Sequence, residues 1–130
     1  MKLGVTIVAA ALAALLTQQA RADDVAHGEA VFKKNCSICH RIGEGAKNFA
    51  GPELNGLDGR HSGSVVGFSY TDANKNSGIV WNEESFKKYI RDPRGVIPKT
   101  KMVFPGLQKD DEVNDLWAYL KQFDANGKTK

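Results

Sequence analysis

The sequence predicts an all-α fold with three main helices, short helical turns and long loops. Apolar residues recur at helical spacing in three segments, near the start, the middle and the end of the chain. Between the first two segments, residues 41–78 lack this periodicity, and glycine, asparagine, aspartate and serine mark consecutive turns. No segment alternates strongly between apolar and polar residues, so we expect no sheet.

The first 22 residues are typical of a cleaved secretory signal peptide. Lys2 supplies a positive charge, residues 3–16 are uncharged and mostly apolar, and Ala20-Arg21-Ala22 matches a cleavage site. A membrane anchor is the alternative, but the apolar run is shorter than the roughly 20 residues that a spanning helix needs. We therefore expect cleavage after Ala22 and a single domain over residues 23–130.

The net charge of the mature chain argues against a nucleic-acid partner. The full sequence carries a net charge of +3, and cleavage removes the two cations Lys2 and Arg21, which leaves +1. This near balance argues against nucleic acid as a partner, and any electrostatic steering must come from where individual charges lie. The mature chain is also too short to bury a large core of its own.

The first helix is expected from residue 24 to about residue 36. Asp24 is a suitable N-cap, and Val25, Gly28 and Phe32 lie on one face. Gly28 costs about 1 kcal/mol relative to alanine inside a helix. Close approach of another helix would explain why glycine is accepted there.

After the first helix we expect a long loop region and then the second main helix. Residues 72–75 are expected to form one short helical turn. The second main helix begins at residues 81–82 with Asn82 as the cap, and Pro93 ends it. Its apolar face consists of Phe86, Tyr89 and Ile90.

The last helix is expected from about residue 109 to residue 123, after an irregular segment over residues 94–107. Its apolar positions have helical spacing, and Asn126-Gly127 is expected to end it. These positions are Val113, Leu116, Trp117 and Leu120.

A Cys-x-x-Cys-His motif lies directly after the first helix, at residues 36–40. This is the signature for covalent attachment of c-type haem. Thiols at this spacing, Cys36 and Cys39, can each form a thioether with one vinyl group of the porphyrin. His40 then lies beneath the ring and can offer a neutral imidazole nitrogen to the iron.

Two other interpretations of the motif exist. A thioredoxin-like redox pair is expected beside a βαβ pattern, which this sequence lacks. A zinc site needs further ligands, but both cysteines are in the motif, and His27 and His61 show no HxxxH spacing.

Met102 is the only methionine left after cleavage, on a loop between Pro98 and Pro105. A thioether there is a candidate second axial ligand. The alternative is a methionine that fills a gap in the core.

Beyond this motif, the chain resembles the class I cytochromes c, specifically the bacterial cytochrome c2 branch that is most similar to mitochondrial cytochrome c. The resemblance covers nearly all of the mature chain without insertions. It is carried by residues 28–32, 36–40, 51–54, 56–57, 59–60, 67–76, 78–79, 81, 97–102 and 116–121. It implies a cytochrome c fold, in which long loops wrap around one covalently bound haem.

The resemblance also implies roles for individual residues. His40 and Met102 would be the axial ligands, Cys36 and Cys39 the thioether anchors, and the Pro52 carbonyl would accept a hydrogen bond from the His40 ring.

Further roles concern the rest of the cofactor pocket. Tyr70 and Trp81 would bind a haem propionate, with Arg60 nearby offsetting its charge. A polar network on the methionine side would be formed by Asn74, Tyr89 and Thr100. Phe104 would cover the haem face.

The sequence departs from the mitochondrial pattern at several positions. Asp58 stands where an aromatic residue is common, and Lys99 replaces a glycine before the methionine. Asn35 and Phe49 occupy two positions that are usually lysine, which weakens the expected attraction to acidic partners.

The resemblance implies a monomeric one-electron carrier in a bacterial periplasm. Its donor would be a cytochrome bc1 complex, and its acceptor a photosynthetic reaction centre, a terminal oxidase or a nitrogen-oxide reductase. Docking would use a basic ring around the exposed haem edge, formed by Lys34, Lys47, Arg94, Lys99, Lys101 and Lys109.

Alternative functions are a haem enzyme or gas-binding protein, in which Met102 does not hold the iron, and a thiol-disulfide module with titratable cysteines. A cytochrome c′-type bundle is disfavoured, because its haem motif lies near the C-terminus.

Overall fold

The computed structural model describes residues 22–130, so the predicted signal peptide, apart from Ala22, lies outside the described residues. Within that range the fold is all-α, as predicted, and isolated bridges at residues 61/80 and 123/129 are its only β pairing. No helix of the described part is long and apolar enough to cross a membrane. The helices are α1 (Val25–Asn35), α2 (Asp72–Lys75), α3 (Glu83–Arg91), α4 (Pro93–Val96) and α5 (Asp110–Leu120).

Helix α1 begins where the sequence predicts. The Asp24 carboxylate accepts a hydrogen bond from the backbone N–H of His27 at 2.9 Å, which satisfies one of the open donors of the first turn. The expected apolar face was partly wrong. Val25 is 40% exposed, and the buried residues are Gly28, Val31 and Phe32. In this first turn α5 is contacted by the polar groups of Asp24 and His27 rather than by the Val25 side chain.

The contact between α1 and α5 is the closest helix packing in the described chain. A Cβ atom on Gly28 would overlap the carbonyl oxygen of Asp115 and lie 2.9 Å from the Cβ of Tyr119. The rings of Phe32 and Tyr119 follow, with centroids 5.7 Å apart. Only glycine allows this approach, which explains its cost inside the helix.

A buried carboxylate ties the start of α1 to α5. Asp115 is fully buried. Its Oδ1 accepts the backbone N–H of Asp24 at 2.8 Å, and its Oδ2 lies 2.6 Å from Nδ1 of His27. A buried carboxylate needs such partners, since an unpaired one is costly.

Helix α3 begins after Asn82, as predicted, with a reciprocal capping box between Asn82 and Ser85. The irregular segment expected after Pro93 instead starts with helix α4. Pro93 opens α4, and the Asp92 carboxylate accepts the N–H of Gly95 at 3.0 Å. Proline suits this position, because the first turn needs no N–H donor.

Helix α5 is shorter than expected. It ends at Leu120, and the predicted stop signal does not terminate it. Gly127 has a φ of +79° and its N–H bonds to the carbonyl of Asp124 at 3.0 Å. It therefore forms a separate turn that leads into the bridge between Phe123 and Thr129.

The core lies between α1, α3 and α5. The rings of Phe86 and Trp117 pack with centroids 5.1 Å apart, and Ile97 and Leu107 extend the core under the methionine-bearing loop. The buried apolar residues of α5 are Val113, Leu116, Trp117, Ala118 and Leu120. On one side this core borders an open cavity rather than more protein.

Candidate functional site

A cavity of about 420 Å³ opens against the core, and most of its wall is apolar. This volume is within the range of cofactor pockets. Every site residue predicted from the sequence lines it. These are Cys36, Cys39, His40, Pro52, Arg60, Tyr70, Asn74, Trp81, Tyr89, Thr100, Met102 and Phe104.

The turn after α1 directs the motif into the cavity. The N–H of Cys36 still bonds to the Phe32 carbonyl at 2.8 Å. The N–H groups of Cys39 and His40 then both bond to the Cys36 carbonyl, at 3.0 and 2.9 Å. This tight turn brings two thiols and one imidazole to a single wall.

Cys36 does not have the environment of a reactive thiol. Burial, with a smaller contribution from Cys39, raises the pKa of Cys36 to about 12. Reactive thiols need a lowered pKa, because the thiolate is the nucleophile. The raised pKa of Cys36 therefore disfavours this thiol as the nucleophile of a thiol-disulfide module.

His40 is held in one orientation. Its Nδ1 lies 2.7 Å from the carbonyl oxygen of Pro52, so Nδ1 carries the proton and Nε2 keeps its lone pair. A Cβ on Gly51 would lie 2.7 Å from Nδ1 of His40, so the ring packs where a side chain would otherwise be. Burial lowers the pKa of His40 and favours the neutral, metal-binding form.

Met102 belongs to a closed ring of hydrogen bonds. The Tyr89 hydroxyl donates to the Met102 sulfur at 3.4 Å and lies 3.3 Å from Oγ1 of Thr100. The Met102 N–H donates back to Oγ1 of Thr100 at 3.4 Å. Burial raises the pKa of Tyr89, which keeps it a donor.

Asn74 lines the same cavity, but among the described residues it makes no hydrogen bond to Tyr89, Thr100 or Met102. Its Oδ1 is 3.4 Å from the hydroxyl of Thr71, which in turn caps helix α2. Asn74 therefore faces the cavity from the α2 side.

Three polar side chains converge at one end of the cavity. The Tyr70 hydroxyl accepts the N–H of Val65 at 3.1 Å, so its own proton remains available to donate. Arg60 donates to the carbonyls of Glu53 and Asn55 at 2.8 and 3.0 Å. Burial lowers the pKa of Arg60 and raises that of Tyr70.

Trp81 completes this polar end. Its side chain is only 8% exposed, and within residues 22–130 no acceptor faces its indole N–H. No buried polar side-chain atom of the described residues is left unsatisfied, so this N–H keeps some accessible surface, and Trp81 lines the cavity. A cavity with an apolar wall, an indole N–H, a phenol and a guanidinium fits a flat apolar group with anionic substituents.

The rim of the cavity is apolar, which the sequence analysis missed. Ile38 and Val103 line the cavity but are 76% and 82% exposed. Their positions were a usable signal, since one lies inside the cysteine motif and the other follows Met102. Phe104 is half-buried and packs against the core.

Among the described residues, no three His, Cys, Asp or Glu side chains are grouped as a metal site would require. A second depression of about 650 Å³ lies beside the cavity and shares Arg60 with it. Its lining is mixed in charge and contains none of the other predicted site residues.

Comparison with known proteins agrees with the cavity and its motif. A model of the cytochrome c family matches residues 25–124. The chain belongs to the cytochrome c family. Cytochromes c carry covalently attached haem c with its iron, and they are electron-transfer proteins rather than enzymes. The residues that line the cavity fit this cofactor.

Individual relatives support the same placement. A cytochrome c2 of Blastochloris viridis is 56% identical over 127 residues, which is 98% of this chain and 95% of the relative. A cytochrome c-550 of Nitrobacter winogradskyi is 60% identical over 107 residues, covering 82% and 97%. A plant cytochrome c, from Stellaria longipes, is 52% identical over 98 residues, covering 75% and 91%. The resemblance to cytochrome c2 predicted from the sequence is confirmed.

Proposed function

We propose that this cytochrome c is a periplasmic one-electron carrier between membrane-bound redox complexes of a respiratory or photosynthetic chain. Cys36 and Cys39 form the thioethers, and His40 and Met102 bind the iron. The observation that carries this proposal is that both thiols, the imidazole and the thioether line one cavity.

The protein's part in the chemistry is to hold two ligands and exclude others. Haem c, when bound, supplies an iron that gains and loses one electron. Pro52 fixes the orientation of His40, and Tyr89 restrains the Met102 sulfur. A histidine and a methionine together leave no open position for a substrate. The weak thioether donor and the apolar wall both favour the reduced state.

The polar end of the cavity would receive a propionate. The available protons of Tyr70 and Trp81 donate to it, and Arg60 offsets its charge. Asn74 and Thr100 add polar atoms on the methionine side, and Phe104 covers the haem face there. Each of these side chains lines the cavity.

The first 22 residues and the cytochrome c2 relatives support the proposed cellular setting. Cleavage after Ala22 would release residues 23–130 as a single-domain monomer in the periplasm. The donor would be a cytochrome bc1 complex, and the acceptor a reaction centre, a terminal oxidase or a nitrogen-oxide reductase. The six proposed docking cations are all exposed, and Lys101 also lines the cavity.

Absorption spectra test the ligand assignment. Protein exported from a bacterium that attaches haem c is examined oxidised, reduced, and reduced with CO. We expect a far-red sulfur-to-iron charge-transfer band in the oxidised form and no spectral change with CO. The Met102→Ala variant is the matched control, and it should lose the band and bind CO.

A missing band and ready CO binding in the wild type would contradict the carrier function. The haem enzyme or gas-binding alternative would then apply to the same fold.

A further inference from the structure

The segment that carries Met102 is buried at its two ends, and the residues between them are exposed or half-buried. Ile97 and Leu107 are buried, with 2% and 5% exposure. None of residues 98–106 is buried. Segments with few buried contacts open locally at a lower free-energy cost than the rest of a fold.

A tight turn begins this segment. The N–H of Thr100 bonds to the Ile97 carbonyl at 3.0 Å, which closes a four-residue turn. Pro98 occupies the second position of the turn. Lys99 occupies the third position, with a φ of +67°. It is the only residue other than glycine with a positive φ among residues 22–130.

Lysine is an unfavourable residue at the third position of this turn. A proline followed by a residue with positive φ is the pattern of a type II turn, whose third position favours glycine or asparagine. A lysine pays a steric penalty there, because its Cβ crowds the following carbonyl oxygen. Lys99 is exposed, and the described chain shows no hydrogen bond or ion pair of its ammonium group. No local contact therefore offsets the strain.

We propose that Lys99 is a positioning residue that stores backbone strain in the closed Met102 segment and thereby raises the fraction of molecules in which the segment opens. The inference rests on the proposed ligation of iron by Met102. Opening allows the φ of Lys99 to relax, so the strain disfavours the closed form alone. Glycine at this position would remove the strain and stabilise the closed segment.

Lys101, two residues later, acts in the opposite sense. Its ammonium donates to the Ser69 carbonyl at 2.5 Å and lies 5.3 Å from the ring centroid of Phe68. These contacts tie the segment to the neighbouring loop. Lysines in this segment therefore differ in role, and a test at position 99 must separate strain from charge.

Imidazole binding to the oxidised holoprotein measures opening, because imidazole reaches the iron only when Met102 has left. The readout is the loss of the sulfur-to-iron band as imidazole is added. Lys99→Ala removes the charge but keeps the Cβ, so its imidazole affinity should stay within about twofold of wild type. Lys99→Gly should bind imidazole about fivefold more weakly, with Lys99→Asn between the two.

A second pair of variants separates strain from chain flexibility. Val103 lies in the same segment without a positive φ. Val103→Gly should bind imidazole more tightly than Val103→Ala, because glycine there only adds freedom to the open form. The sign of the glycine effect is thus opposite at positions 99 and 103.

Three outcomes decide the matter. Weaker binding by Lys99→Gly than by Lys99→Ala supports the inference. Equal affinities of those two variants, whether or not both are weaker than wild type, would overturn the inference and leave Met102 ligation intact. A wild type without the sulfur-to-iron band would instead refute the ligation itself, and the inference with it.

Discussion

The hydroxyl of Tyr89 touches the sulfur that we assign to the iron. Its hydrogen bond to Met102 is 3.4 Å long, and it withdraws electron density from the thioether. A weaker sulfur donor favours the reduced state of the iron. This single contact should therefore tune the reduction potential.

Tyr89→Phe should lower the reduction potential by roughly 40 mV, which equals a hydrogen bond of about 1 kcal/mol in a one-electron couple. Voltammetry of the holoprotein measures it. Thr100→Val is the control, because it removes the hydroxyl beside Tyr89 but leaves the Tyr89–Met102 bond. A potential in Tyr89→Phe equal to wild type would show that the contact has no electronic role.

At the scale of secondary-structure elements, the packing of α1 on α5 depends on one missing side chain. Gly28→Ala should destabilise the protein by about 1–3 kcal/mol, since the new methyl group overlaps the Asp115 carbonyl. Helix propensity alone predicts a gain of about 1 kcal/mol. Denaturant unfolding of the holoprotein gives the sign, and a stabilised variant would contradict the described contact.

Helix α3 offers a pH-dependent element. Glu83 pairs with Lys87 at 2.6 Å, and that hydrogen bond lowers the pKa of Glu83 below its usual 4.5. A carboxyl group whose pKa is lowered by folding stabilises the folded state when the pH is above its unfolded-state pKa. This contribution disappears as the pH falls through the folded-state pKa.

Glu83→Gln should therefore cost about 0.3–0.5 kcal/mol at neutral pH, because the pair is exposed. At an acid pH below the folded-state pKa of Glu83 the cost should vanish. Glu84→Gln, in the same first turn, removes a charge without an ion pair and should cost less. Thermal unfolding at both pH values gives the comparison, and an equal cost at both would count against the pair.

The sequence predicted the helices better than their ends. Asp24 and Asn82 were recognisable caps, because their side chains act locally on the next turn. The start of α4 was missed because Pro93 can either end a helix or open one. Only the preceding residue, Asp92, which caps α4, shows that a new helix begins there. The end of α5 was also missed, because Gly127 serves a turn that depends on a bridge to Phe123, and such pairing is not local.

The cavity could be predicted only in part. The Cys36–His40 motif has a fixed spacing, so it identifies the cofactor directly. Met102 and the polar end depended on the resemblance to cytochromes c, because Arg60, Tyr70 and Trp81 meet only through tertiary folding. The replacement of a glycine by Lys99 was a usable signal, but the positive φ itself was visible only in the structure.

At the scale of the whole molecule, the cofactor replaces part of the core. Buried side chains that belong to the core also line the cavity, so they lose their packing partner if haem is absent. These include Trp81, Phe86, Ile90, Leu116 and Leu120.

The double variant Cys36→Ser/Cys39→Ser should therefore lose most of its helix content, since the remaining chain buries too little apolar surface. Circular dichroism of the purified protein measures this. Met102→Ala keeps both thioether positions and should retain its helices. A well-folded double variant would show that the polypeptide core suffices alone.

The exposed cations predict a salt-dependent encounter with membrane partners. If they steer docking, electron transfer from a bc1 complex or to an oxidase should slow as ionic strength rises. Stopped-flow measurements over a salt series test this. Replacing Lys34 and Lys109 by glutamine together should flatten the dependence, and a rate indifferent to salt would exclude steering by these charges.

The carboxylate of Asp115 holds the N–H of Asp24, which is 91 positions away in the sequence. Such a contact cannot form before nearly the whole chain has been made, and closing so long a loop costs entropy. A growing polypeptide that has not reached Tyr119 offers α1 no surface on which to pack. A chain exported as proposed would therefore pass through a translocon before α1 and α5 can pack.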